Sequence, residues 1–117
     1  MKVQPIDRHE QTPVTMEGAS GAKMRMLIGP GDGAGHFHMR QFEVEPGGYT
    51  PHHSHDYEHE ILVLAGSGTA KSPQGDRSFQ AGDVIFVPAN EKHQFVNNGS
   101  ETLQFICLIP APHVCAT

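Results

Sequence analysis

Residues 51–66, PHHSHDYEHEILVLAG, put four histidines and two glutamates into ten positions and then turn apolar. Imidazoles and carboxylates hold divalent transition metals, and imidazole also moves protons near neutral pH. In an extended chain alternate side chains share a face. His53 and His55 therefore point one way, and His52 and Ser54 the other. His59 lies four residues beyond His55 and returns to that face if the chain stays extended, whereas Glu58 and Glu60 have the opposite parity. A His-x-His pair with a third imidazole four residues on can reach one cation with nitrogens at about 2.0–2.1 Å. His93, after a proline-containing turn in AGDVIFVPANEKHQFVN (81–97), is the candidate for a fourth ligand from a distant strand. Several titratable rings on an interior face are costly unless something compensates them, and a bound metal does so. His36 and His38 share a face with Arg40, Phe42 and Val44 and are candidates to line a cavity beside the ion.

The elements that carry these residues read as strands. From residue 36 the hydrophobic period is two. HFHMRQFEVE (36–45) is a strand that PGG (46–48) ends, HEILVLAG (59–66) is a strand buried on both faces, and DVIFVPA (83–89) stops at Pro88. GTAKS and RSFQA flank the turn PQGD, while HQFVN and LQFICLI flank NGSE, which reads as a hairpin turn. MRMLI (24–28) is a plausible earlier strand in a loosely patterned arm, residues 1–35. Six to eight short strands at intervals of about ten residues predict an all-β sandwich or small barrel in one domain.

Composition agrees. The chain of 117 residues carries 13 Gly, 9 Pro and no Trp, which favours short strands and tight turns over a helical bundle. A formal charge of −5 lacks the basic footprint that nucleic acid or an anionic membrane needs. Two cysteines, Cys107 and Cys115, make no disulfide framework or zinc pair. The N-terminus has no apolar leader and no segment is long enough to span a membrane, so a cytoplasmic setting is expected. GPGDGAG (29–35) and GSGTAKS (66–72) fail as phosphate-binding loops, the first for want of Lys-Ser/Thr and the second because Ala70 replaces the needed Gly.

The two histidine-bearing segments resemble the motifs of the cupin superfamily, and within it the small single-domain bacterial cupins of the conserved-barrel type. The first motif, G-x5-H-x-H-x3,4-E-x6-G, is matched by Gly47, His53, His55, then His59 or Glu60, and Gly66. The second, G-x5-P-x-G-x2-H-x3-N, is matched by Gly82, Pro88, His93 and Asn97, with Asn90 in place of the inner Gly. Asn is the residue that best tolerates the same left-handed backbone. The resemblance implies a double-stranded β-helix, a jelly-roll barrel over about 36–110, with the arm 1–35 contributing an edge strand. It also implies a homodimer formed by strand exchange near the N-terminus.

Within that family the pattern H-x-H-x3-H is similar to members that hold the ion through four histidines, here His53, His55, His59 and His93. Parity and the short spacing from Glu60 to Gly66 favour His59 over Glu60. The resemblance places Phe42, Phe95, Phe105, Ile109 and Cys107 on the barrel lining, with Arg40 available to a carboxylate. The implied cofactor is one divalent transition metal per chain, Mn or Fe in preference to Zn, Ni, Co or Cu.

Three functions fit: a metal-dependent oxygenase on a small organic substrate, a non-redox isomerase or lyase on a sugar or keto acid, or a non-catalytic small-ligand binder. The first has the most support from the sequence. The second needs a general base, for which Tyr57, His36 and His38 are candidates.

Overall fold

A computed structural model of the chain describes residues 1–111, and Cys115 lies outside the described residues. Nine strands follow one another: β1 (Gln11–Pro13), β2 (Ser20–Ile28), β3 (Phe37–Tyr49), β4 (His59–Ala65), β5 (Ser67–Lys71), β6 (Arg77–Gln80), β7 (Val84–Val87), β8 (Gln94–Val96) and β9 (Leu103–Pro110). Single 3-10 turns at Ile6–Arg8 and Pro30–Asp32 complete the described elements. Among the described residues no helix is long and apolar enough to cross a membrane.

Every pairing is antiparallel, and the order β6-β5-β8-β3-β9-β4-β7 curls into a jelly-roll barrel whose two ends are β6 and β7. On the other edge of β3 lies β2, which in turn carries β1, so the N-terminal arm pairs back onto the sheet of its own chain.

The longest strand makes the curl possible. Residues 39–44 of β3 lie between β2 and β9, while Tyr49 at its far end lies between Ser20 of β2 and Val96 of β8. The PGG segment therefore bends β3 from one side of the barrel to the other instead of ending it. Gly47 takes φ +83°, and a Cβ on Gly48 would stand 2.6 Å from the Ser20 carbonyl oxygen. Only glycines fit that corner.

The core follows the period of two. Inward residues Val44, Ile61, Val63, Leu103 and Phe105 are buried, and the Phe42 and Phe105 rings stack at 5.2 Å between centroids. Phe95 meets Phe105 edge-on at 5.6 Å. Each such side chain contributes roughly 1.5–3 kcal/mol on burial.

Two further expectations are corrected. β4 is not buried on both faces: His59, Ile61 and Val63 face inward, while Leu62 and Leu64 remain 44% and 40% exposed. Opposite them Val84 and Phe86 of β7 are 78% and 59% exposed. Among the described residues no helix covers the outer side of the sheet, so β4 alternates as an antiparallel strand does. NGSE is not a hairpin either, because β8 pairs with β3 and β5 whereas β9 pairs with β3 and β4. The chain crosses there between the two sides of the barrel. Asn97, wholly buried, secures the crossing by donating to the carbonyls of Val44 and Glu101, both at 2.8 Å, and by accepting from Gly99 N–H at 3.0 Å.

Candidate metal centre

Backbone pairing brings the two histidine segments together. His53 N–H donates to the His93 carbonyl at 3.1 Å, and His93 N–H returns a bond to the His53 carbonyl at 2.9 Å, an antiparallel bridge outside the named strands. Between β7 and His93 the turn after Pro88 carries Asn90 at φ +68°, the left-handed backbone that replaces the motif's glycine. Asn90 N–H donates to the carbonyl of His55, which docks this turn on the first segment. His59 opens β4, paired with Val87.

Burial alternates strictly along the stretch. His53, His55, Tyr57 and His59 are half-buried or buried, and His52, Ser54, Asp56, Glu58 and Glu60 are exposed. The ligand nitrogens of His53, His55 and His93 lie within 4.8 Å of one another. His59 stands beside this triad, its ring centroid 5.0 Å from that of His93 and 5.1 Å from that of His55.

His53, His55 and His93 fit a divalent cation. His53 Nε2 and His55 Nε2 are 3.1 Å apart, against the roughly 3.0–3.4 Å expected of two nitrogens bound at about 2.1 Å to one ion at right or tetrahedral angles. His93 is oriented by its Nδ1–H, which donates to the Glu91 carbonyl at 2.9 Å and leaves Nε2 with its lone pair. A carbonyl partner of this kind is the usual support of a metal-bound imidazole. His59 Nδ1 meets Cys107 Sγ at 3.3 Å, while its buried Nε2 has no partner. Such an orphaned atom is open to a metal ion or a water.

The rings are held neutral. Burial first, then the neighbouring His55, pushes His53 down to about 4. Burial and then His93 push His59 down to about 3. His55 is lowered by burial and His93, and His93 by burial against the opposing bond from Glu91. Neutral imidazole is the form that binds metal.

Arg40, Phe42, Phe95, Phe105 and Cys107 line a cavity of about 30 Å³ together with His53, His59 and His93. Val14, Thr50 and Pro51 complete its walls, and none of the three stands out in the sequence. Thr50 carries no periodic signal, since its hydroxyl is engaged by Phe95 N–H at 2.9 Å. Val14 belongs to the weakly patterned arm and is fixed by its N–H bond to the Ala22 carbonyl.

Four candidates lie elsewhere. His36 precedes β3 and is exposed, because the strand begins one residue later than the periodicity suggests. His38 is buried but bonds through Nε2 to the Ala34 carbonyl and is absent from the cavity wall. Tyr57 stacks on His55 at 4.8 Å and meets His59 edge-on, so it packs behind the rings instead of facing the cavity. Ile109 is buried in the core, outside that wall. A larger cleft of about 710 Å³ lies between the edge strands β6 and β7 and shares His93 and Phe95 with the inner cavity.

A jelly-roll barrel with histidines converging on an interior cavity defines a class of small β-barrel proteins that commonly bind a divalent metal. Residues 40–109 match the family model described as Cupin domain, and the chain belongs to that family. It is similar to the polyketide cyclase RemF from Streptomyces resistomycificus, with 37% identity, a TM-score of 0.88, and coverage of 94% of this chain and 79% of that one. A predicted oxalate decarboxylase from Thermotoga maritima shares 26% identity at TM-score 0.82, over 93% of this chain and 98% of the other. A curated relative, 1-methylthio-D-xylulose 5-phosphate methylsulfurylase from Rhodospirillum rubrum, is 32% identical over 62% of this chain and 47% of its own length. The chain spans about half the length of the curated relatives it matches.

Proposed function

We propose that His53, His55, His59 and His93 hold one divalent transition metal and that the site acts as a Lewis acid on a small oxygen-bearing organic substrate. The observation that carries this reading is a cluster of four imidazole rings, three of which, His53, His59 and His93, line a cavity with no carboxylate among its described wall residues. An ion held by neutral nitrogens alone keeps its full double charge and polarises a carbonyl strongly. The relatives support it: their names describe a cyclase, a predicted decarboxylase and a methylsulfurylase.

An oxygenase is the second reading, favoured by the phenylalanine-lined inner cavity, whose apolar wall suits a small apolar gas. Loading the metal-free protein with zinc, manganese or iron separates the two. Zinc-loaded protein is expected to catalyse exchange of the acidic protons of a β-keto ester with deuterium oxide. Oxygen uptake confined to the iron or manganese form, with no exchange in the zinc form, would overturn the first reading in favour of the second.

The chain is also proposed to pair with a second copy across the outer face of β4 and β7. The apolar run of β4 reads as buried on both faces, yet a single chain covers only one. Leu62, Leu64, Val84 and Phe86 form an adjoining exposed patch, with half-buried Ile106 and Leu108 beside them. A contiguous apolar patch of this kind marks an interface in a stable fold.

A further inference from the structure

We propose that Arg40 is an anion-binding group and that the ligand entering the inner cavity is an organic carboxylate whose apolar body lies in the cleft between β6 and β7. This rests on the metal reading only for what meets the other end of the carboxylate.

The guanidinium is almost completely buried, at 1% exposure. Its Nε and Nη1 have no hydrogen-bond partner, and Nη2 reaches only the Cys107 sulfur at 3.4 Å. Sulfur is a weak acceptor. The Phe42 ring lies 5.0 Å from Cζ and attracts the cation through its face, but it accepts none of the free N–H bonds. The ion pairs found among the described residues, Lys2–Asp32 and Arg25–Glu43, do not involve Arg40. A buried cation without a counter-charge is among the costliest features a fold can keep. Here it lines the same cavity as His53, His59 and His93, where a metal would add two more positive charges. Nothing in that wall supplies an anion, so the ligand must.

Size selects the anion. A cavity of about 30 Å³ takes roughly two water-sized groups. The two oxygens of a planar carboxylate suit so small a space better than the four oxygens of a tetrahedral phosphate. Guanidinium is also the side chain best matched to a planar carboxylate. The rest of the molecule is directed by the shared walls at His93 and Phe95 into the larger cleft, where Phe79, Ile85 and Val87 offer apolar surface. An aromatic or alkyl acid fits both compartments.

The test uses benzoate, its neutral isostere benzamide, and inorganic phosphate, titrated by calorimetry into metal-free and zinc-loaded protein. Benzoate is expected to bind both forms, and at least tenfold more tightly than benzamide or phosphate. Arg40→Met should weaken benzoate at least tenfold and abolish its advantage over benzamide. It should leave zinc content unchanged and leave the ligand-free protein at least as heat-stable as wild type, because an apolar side chain replaces an unpaired buried charge.

Independently of that variant's folding, the Arg40 Nε resonance of the wild-type protein should move on adding benzoate and not on adding benzamide. Equal benzoate affinity in the two proteins, an unmoved Nε resonance, or preference for phosphate would overturn the proposal. The two readings fail separately. If zinc does not bind while benzoate still shifts Nε, the metal reading falls and this one stands. If zinc binds while benzoate ignores the Arg40→Met change, this one falls and the metal reading stands.

Discussion

Acidification of the metal-stripped protein should destabilise it in a window set by the buried histidines. In the folded chain His59 is held at about 3 by burial and His53 at about 4, while both titrate near 6.5 when unfolded. Below pH 6.5 the unfolded chain takes up protons that the folded chain refuses, so stability is full at pH 7 and lost as pH falls. At pH 5 the deficit is 1.5 pH units at about 1.36 kcal/mol each, or about 2 kcal/mol for His59 alone. His53 is half-buried and adds less than its shift suggests, since solvent screens it.

For a domain of this size, about 2 kcal/mol corresponds to a Tm drop of roughly 8 °C. The carboxyls of Asp32 and Glu43 are held below their usual range and titrate beneath this window. Thermal melts of apo protein at pH 7, 6 and 5, repeated on His59→Leu, supply the measurement. The variant should lose about half or more of the pH dependence. A wild-type Tm that is flat between pH 7 and 5, or a His59→Leu profile as steep as wild type, would refute the argument.

His59→Ala should lower metal content on elemental analysis far more than Glu60→Ala, whose side chain is exposed on the opposite face; equal occupancy would overturn the four-histidine assignment. Asn97→Ala strips the crossing between β8 and β9 of three hydrogen bonds and should cost about 2–4 kcal/mol in urea unfolding. Phe86→Asp should shift the protein from dimer to monomer in sedimentation without altering metal content, and a wild-type monomer at high concentration would remove the proposed pairing.

Much of the site is legible in the sequence because strand parity is a strict rule. The alternation of His53, His55 and His59 against His52, Glu58 and Glu60 survives into the burial pattern even though residues 54–58 form no named strand. Asn90 is legible too, since few side chains accept positive φ. Arg40 is not. Its pattern says only that it shares a face with Phe42, and whether that face holds a paired surface charge or a buried one depends on β9 lying alongside, with Arg40 opposite Cys107. The course of β3 through PGG is likewise set by a partner strand 47 residues away, Val96 against Tyr49. Local turn chemistry argues for a stop, and long-range pairing overrides it.

The bridge between His53 and His93 has a mechanical consequence. An ion shared by side chains on both sides of that bridge would clamp together points 40 residues apart in the chain. Cross-linking a loop of that length removes conformational freedom from the unfolded state worth about 4 kcal/mol in the chain-entropy model. Metal would then serve as a removable staple as well as a reagent. Amide exchange in β4, β7 and the His93 turn should slow together on loading, making the lifetime of the folded barrel depend on metal supply.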